Sequence, residues 1–506
     1  MTTLLYRITI VAIGLFVAPF LSVPLSISAT ISVEPLSLKK ALETVRDKHP
    51  DLKINQLDRS IAQTENMRIA GILDPTLAAT FIASEEKVPV SSDFQASETR
   101  LGQLSGSINQ PLANGGTVSA NFIYNRTAQA FNSPIAAQLS SFNPAFRSQM
   151  NVSYRHALLK GADRPDYHQS LLVAETGVKA VDLQAQVIMQ TLSLQTINAF
   201  YQLAADDINI HIAKQAVTRA NKLLRYQRSR EKFGLIEKAD RLQAEALLAA
   251  RHTDHQKALA QRFNDQSNLN RLMLRRFDTA ITIVPLAHAK HNIPSISKAM
   301  QQAEQLRPEL QLLKAQMDIA DAQLLIALDN DQMQLDVIAE AGTRALANNA
   351  VRGLSRGLEV HDPRYYIALS FELSDVLGRN TTRASIRKAE LQRQRIVAQG
   401  DQIMAQINDD IAAASSAIRA GIPTLAMAKK QEVAEQRKFN AEMQRYRQGR
   451  SDTATLVQFE GELRNASLNA ELQQLSLQLA DTQLTWAQGK LLSELGLHSV
   501  ADSPAP

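Results

Sequence analysis

Two short stretches, His49-Pro50-Asp51-Leu52 and Arg307-Pro308-Glu309-Leu310, decide how this chain is organised. Each follows an apolar-periodic run of similar make-up, Ala41-Leu42-Glu43-Thr44-Val45 before the first and Ala299-Met300-Gln301-Gln302-Ala303 before the second. The copies lie 258 positions apart. Further along, Val152-Ser153-Tyr154 followed by Gly161 matches Leu369-Ser370-Phe371 followed by Gly378. Phe233-Gly234 leading to Gln243-Ala244-Glu245 matches Gln448-Gly449 leading to Gln458-Phe459-Glu460. The offset is now 215, so the first copy has gained about 43 residues between its helices. One ancestral unit is duplicated over nearly the whole chain.

Each copy has the same internal order. A helical stretch comes first, about 36–72 and then 295–330, with apolar residues such as Leu57 and Ile61 or Leu312, Ala315 and Ile319 at helical spacing. Asp74-Pro75 is expected to end the first of these. Runs of alternating side-chain type follow: Thr76 to Ala83, Gly102 to Gln110, Thr117 to Arg126 and Arg147 to Leu158 in the first copy, Gln334 to Arg344 and Arg364 to Ser374 in the second. Alternation of this kind marks strands. The first copy thus has four such runs and the second two, and Asn114-Gly115-Gly116 supplies a turn signal for the extra hairpin. The polar stretches Asn132 to Asn143 and Asn348 to Pro363 read as loops.

After the strands comes a helix of unusual length. Pro165 to Phe233 is roughly 69 residues, about 100 Å at 1.5 Å per residue. Arg379 to Gln448 is about as long. Each ends at a glycine, Gly234 or Gly449, beyond which a second helix returns over about 236–277 or 452–495. Such helices need a rod, a coiled coil or a tube rather than a globular core. Pro423, with Gly421 beside it, is expected to bend the second long helix.

Composition narrows the function. There is no cysteine, which excludes a disulfide framework, a thiolate metal site, a thiol nucleophile and a lipidated cysteine. A net charge of +5 spread over 506 residues does not imply nucleic acid. Residues 1–29 read as a secretory signal peptide: Arg7, the apolar run Ile8 to Phe20, then Ser26-Ile27-Ser28-Ala29 for cleavage. No later window has eighteen apolar residues in a row, so any membrane span is expected to be a β-barrel. Eleven of the 21 Phe and Tyr beyond residue 29 fall in 76–160 and 333–374, where a barrel would need aromatic girdles. A soluble β-domain at the end of a rod has the same alternation. Phosphate-loop, metalloprotease, nucleophile-elbow and dinucleotide patterns are absent. The pairs His252/His255 and His288/His291 have metal-ligand spacing, but two histidines on an exposed helix are usually incidental.

With these features together, residues 36–496 resemble the TolC-like outer-membrane efflux proteins. The resemblance rests on the duplicated helix–strands–helix–Gly–helix unit, the two Pro repeats, and the tip segments Phe233-Gly234-Leu235 and Tyr446-Arg447-Gln448-Gly449. It implies a mainly α fold with a transmembrane β-barrel part: a homotrimer whose strands close one outer-membrane barrel and whose long helices form a periplasmic α-helical tunnel. It further implies a passive, non-enzymatic channel for efflux or secretion, without cofactor, in contact with outer-membrane lipid, a periplasmic adaptor (membrane fusion) protein and an inner-membrane transporter. The units are then the leader, a first structural repeat over 30–290, a second over 291–496, and a flexible tail over 497–506.

The resemblance also implies a gate at the periplasmic tip. Asp240, six residues after Gly234, matches an acidic gate residue, and Tyr446, three before Gly449, matches its tyrosine partner. Here the sequence departs from the pattern. The expected arginine two residues after Gly449 is Ser451, with Arg450 one position early, and the expected acidic pair is Thr455 and Gln458. Asp452 or Glu460 are the candidates to replace it. Arg230, Lys232 and Arg447, among other tip cations, are candidate adaptor contacts. Helix-end cations complementing the dipole give the same pattern. The alternative reading of the whole chain is a periplasmic coiled-coil scaffold or adaptor with a soluble β-domain, or a helical surface adhesin.

Overall fold

A computed structural model of the chain describes residues 35–139, 141–284, 295–359 and 365–497. The proposed leader, the His288/His291 pair and positions 498–506 lie outside the described residues. Two helices open the first copy, α1 (Leu38–Lys48) and α2 (Pro50–Ala70), after a two-residue strand β1 (Pro35–Leu36). Strands β2 (Thr76–Lys87), β3 (Ala96–Pro111) and β4 (Gly116–Phe131), a short helix α3 (Pro134–Leu139) and β5 (Ala145–Ala157) follow. Then come α4 (Pro165–Lys232) and α5 (Lys238–Leu272). The second copy begins after β6 (Thr282–Ile283), which pairs in parallel with β1. It comprises α6 (Ile296–Leu306), α7 (Pro308–Asp329), β7 (Gln334–Ala347), α8 (Ala350–Leu358), β8 (Tyr365–Ser374), α9 (Asn380–Arg447) and α10 (Thr453–Ala487), closed by α11 (Leu491–Glu494).

The duplication shows in the lengths. Helices α4 and α9 are 68 residues each, α5 and α10 are 35 each. The Pro repeats turn out to be helix breaks inside what the periodicity reads as one stretch. His49 and Arg307 are extended (ψ 131° and 120°), because a residue before proline is driven out of the helical region, and each proline then starts the next helix where its missing N–H costs nothing. Ser37 and Ser295 cap the helices before the breaks in the same way. The first stretch stops at Ala70, and a single 3₁₀ turn (Gly71–Leu73) carries the chain to Asp74. Helix α9 runs unbroken through Pro423. One window of α9 is apolar enough on average, by length and composition, to cross a membrane, although it is not an unbroken apolar run; α7 and α10 pack along this helix.

The six longer strands form one antiparallel sheet in the order β2-β3-β4-β5-β7-β8, leaving β2 and β8 as edges. Its register sorts side chains by face. Leu77, Ala79 and Phe81 of β2 stand beside Ile108, Gly106 and Leu104, then Ala120, Phe122 and Tyr124, then Val152, Met150 and Ser148. The same face continues through Ala339 and Ala341 to Leu369 and Ile367 of β8. It is apolar, and away from the ends of β5 and β7, where α8 lies on it, it is open: Ile367, Leu369 and Phe371 are 66–77% exposed. The opposite face carries Ser105, Asn121, Gln149, Asn151, Ser153, Glu340, Ser370 and Glu372. On it Arg155 pairs with Asp336 (2.7 Å) and Glu372 (2.8 Å). An exposed apolar face backed by a polar one is the inverse of a soluble sheet packed on a core.

Next to the sheet the helices lie side by side as α2-α4-α7-α9; farther away the neighbours are α5-α4-α10-α9. Among the described residues three buried apolar clusters line this length. One surrounds Phe200, one Ile411, and one, at the far end, Leu224, Tyr446 and Leu456.

The candidate gate at the hairpin tips

The far ends of the two hairpins are built alike. After α4, Gly234 has φ +66°; its N–H bonds the Glu231 carbonyl (2.9 Å) and the Leu235 N–H bonds the Arg230 carbonyl (2.9 Å). After α9, Gly449 has φ +71°, with the Gly449 N–H on Tyr446 (3.1 Å) and the Arg450 N–H on Arg445 (2.9 Å). Both are Schellman caps, which need a residue at positive φ after the helix and so select glycine.

Between these turns a polar chain links four helices. Thr453 Oγ1, at the start of α10, donates to Asp240 Oδ1 of α5 at 2.7 Å. With that hydrogen committed, Thr453 accepts from the Tyr446 hydroxyl at 3.1 Å and from Gln227 Nε2 at 2.7 Å. Gln227, on α4, also donates to the Tyr446 oxygen. Tyr446 packs edge-on to Tyr226 with ring centroids 5.9 Å apart. Burial pushes the Tyr446 hydroxyl above its ordinary range; the Thr453 hydrogen bond opposes this and the Asp240 charge adds to it. The sequence-predicted Asp240 and Tyr446 are thus brought together, with Thr453 as the joint. Neither Gln227 nor Thr453 is marked by the sequence, since each is an ordinary helix residue whose partners on the other hairpin lie more than 200 positions away.

The other candidates are dispersed. Gln458 is exposed and donates to Glu462 (2.8 Å). Asp452 caps α10, accepting from the Thr455 N–H at 2.6 Å, and that bond lowers its carboxyl's proton affinity. Glu460 is 3% exposed. Arg219 reaches one of its oxygens (3.0 Å) and Arg251 the other (2.8 Å), so it joins α4, α5 and α10 internally and does not replace an aperture carboxylate. Asp254, beside His252 and His255, is engaged by Arg464 and by Arg251 (3.2 Å); burial opposes them, yet they hold its carboxyl below its ordinary range. Among the described residues no group of three metal-ligating side chains occurs. Of the tip cations, Arg228 pairs with Glu245 (3.1 Å) and Arg230 lies over the Tyr226 ring (5.7 Å). Lys232, Arg447 and Arg450 are exposed and make no ion pair among the described residues.

No family model matches the sequence, and no curated protein does. Solved structures do match. The outer-membrane channel OprN is similar at a TM-score of 0.66 and 14% identity, over 90% of each chain. The Campylobacter jejuni CmeC outer membrane channel gives 0.64 and 13%, over 90% of this chain and 86% of that one. The outer membrane protein VceC of Vibrio cholerae gives 0.63 and 16%, over 89% and 96%. The chain shares their fold along almost its whole length.

Proposed function

We propose that the chain is a passive outer-membrane exit duct for efflux or secretion. The observation that carries this is the sheet: an apolar face exposed on β2 and β8, with Tyr124 and Tyr365 on it, backed by a polar face, at one end of hairpins about 100 Å long. In a soluble scaffold that face would be a large aggregation-prone patch. In a bilayer it is the wall. On this reading β8 of one copy pairs with β2 of the next, and three copies of the six-stranded sheet close an eighteen-stranded barrel without edges. The repeats 30–290 and 291–496 each supply one hairpin of a periplasmic tunnel. The chain performs no chemistry; a periplasmic adaptor and an inner-membrane pump supply selection and drive.

The hairpin tips are the gate on this reading. The Asp240–Thr453–Tyr446 chain ties the hairpins of one copy together, and opening requires that tie to yield. The exposed Lys232, Arg447 and Arg450 are the adaptor's contact, with Arg230 contributing less because Tyr226 holds it. Fractionation tests the proposal: recovery in the outer membrane as SDS-resistant trimers, with ion current in a planar bilayer, is expected. A soluble periplasmic monomer would sink it in favour of the scaffold.

A further inference from the structure

Helix α8 occupies an unusual place. It lies against β5 and β7, two interior strands, and on the apolar face of the sheet. Three hydroxyls of that face clamp its backbone. Tyr124 donates to the Ala350 carbonyl (2.9 Å), Ser148 to Gly353 (2.5 Å) and Thr343 to Gly357 (2.6 Å). The two glycines permit the approach: a Cβ on Gly353 would lie 2.8 Å from Phe146 Cβ, and one on Gly357 2.0 Å from Ser148 Oγ. The helix sits at the sheet end remote from α4 and α9, where β5 begins and β7 finishes.

What α8 turns outward is two-sided. By helical geometry Val351, Leu354 and Leu358 form one flank, and Arg352 and Arg356, four residues apart, form the other. The three apolar side chains are exposed. Arg126 is an exposed cation on the same sheet face, in register with Phe146, the residue on which Gly353 packs. Among the described residues no carboxylate pairs with Arg126, Arg352 or Arg356. Lys87 and Arg100, at the same end of the sheet, are by contrast neutralised by Glu85 and Glu98 at 2.7–3.6 Å.

We infer that α8 and Arg126 form a docking site for the phosphate-bearing headgroups of outer-leaflet lipids. The apolar flank enters the acyl boundary, as amphipathic helices do at an interface, and the guanidinium groups take phosphate oxygens in bidentate fashion. A second copy is not the occupant, because β5 and β7 are interior strands and copies meet at the edges. The inference rests on reading the sheet as a membrane barrel.

The test uses full-length protein in detergent, to which a bisphosphorylated lipid A or the same glycolipid stripped of phosphate is added, with bound lipid counted by native mass spectrometry. The phosphorylated form should bind at least tenfold tighter, and the triple variant Arg126→Gln, Arg352→Gln, Arg356→Gln should lose that preference. The triple Arg→Lys variant, which retains charge, should keep most of it and shows that the effect is not misfolding. Equal binding of the two lipids, or an unchanged preference in the glutamine variant, overturns the inference. Single-channel conductance is recorded alongside. A wild type that conducts but shows no phosphate preference refutes the lipid site alone, whereas a wild type that never conducts strikes the barrel reading.

Discussion

Thr453 donates its hydroxyl hydrogen to Asp240 across 2.7 Å, and this bond joins the tips of two hairpins whose sequences lie 213 residues apart. Substituting Asp240→Ala together with Tyr446→Phe removes both ends of the chain that runs through Thr453. Conductance in a planar bilayer should rise severalfold, and cells should become sensitive to antibiotics normally excluded by size. Thr453→Val should reproduce most of the effect, because it deletes the joint and keeps the shape. An unchanged conductance in the double variant would remove both residues from the gate.

Glu460 offers a stability test independent of gating. Its two oxygens satisfy two arginines from different helices, so Glu460→Ala leaves the partly buried Arg219 without a carboxylate and Arg251 with Asp254 alone. Removing one partner of a buried ionic group costs about 3–5 kcal/mol. Thermal or denaturant unfolding of the purified protein should show a loss of that order. Gln458→Ala, two positions earlier on the exposed side, should change stability little.

A pH effect follows from Asp206 on α4. It is buried with Oδ2 unpartnered, and desolvation pushes its carboxyl from 3.8 up to about 7, with Asp265 and Asp207 adding to the shift and Arg262 opposing it. Between pH 4 and pH 7 the folded chain therefore holds a proton that the unfolded chain has released. Stability falls as pH rises across that window. Asp206→Asn should flatten the fall and raise the melting temperature by a few degrees at pH 8, with little change at pH 4. A variant whose pH profile matches the wild type would show that the group is ionised in the fold.

The faces of the sheet can be told apart by charge. Leu369 and Ser370 are adjacent on β8 but point to opposite sides. Leu369→Arg, on the apolar face, should disfavour membrane assembly by roughly 2–4 kcal/mol, whereas Ser370→Arg should assemble normally and alter only ion selectivity. Heat-modifiable migration on gels reads the first outcome and reversal potentials the second. Equal tolerance of both would argue for a soluble sheet.

Much of the architecture is legible in the sequence because it is repetitive and local. A 68-residue helix needs only sustained periodicity and a glycine that can take positive φ, and both are visible at Gly234 and Gly449. Alternation in Val152-Ser153-Tyr154 and Leu369-Ser370-Phe371 likewise separates the faces before any pairing is known. What is not legible depends on neighbours distant in sequence. Glu460 looks like a free carboxylate near a tip until Arg219 and Arg251 are placed around it. The stretch from Asn348 reads as a loop because it contains two glycines, yet it holds α8, and those glycines are what let the helix lie on Phe146 and Ser148. His49-Pro50 shows as a repeat, but its role as a break between helices shows only in the backbone.

The six strands per chain have a geometric consequence. At about 4.8 Å between strands and about 40° of tilt, one chain's sheet spans roughly 38 Å of circumference. The four helices beneath it, α2, α4, α7 and α9, span roughly 40 Å at about 10 Å each. With only two strands from each repeat the sheet would cover roughly 25 Å, and the wall would step inward at the membrane. The hairpin β3–β4 removes that step whatever the number of copies. On the duct reading the wall then keeps about one calibre through the sheet and the helices next to it, and the hydraulic resistance is left to the hairpin tips at Gly234 and Gly449.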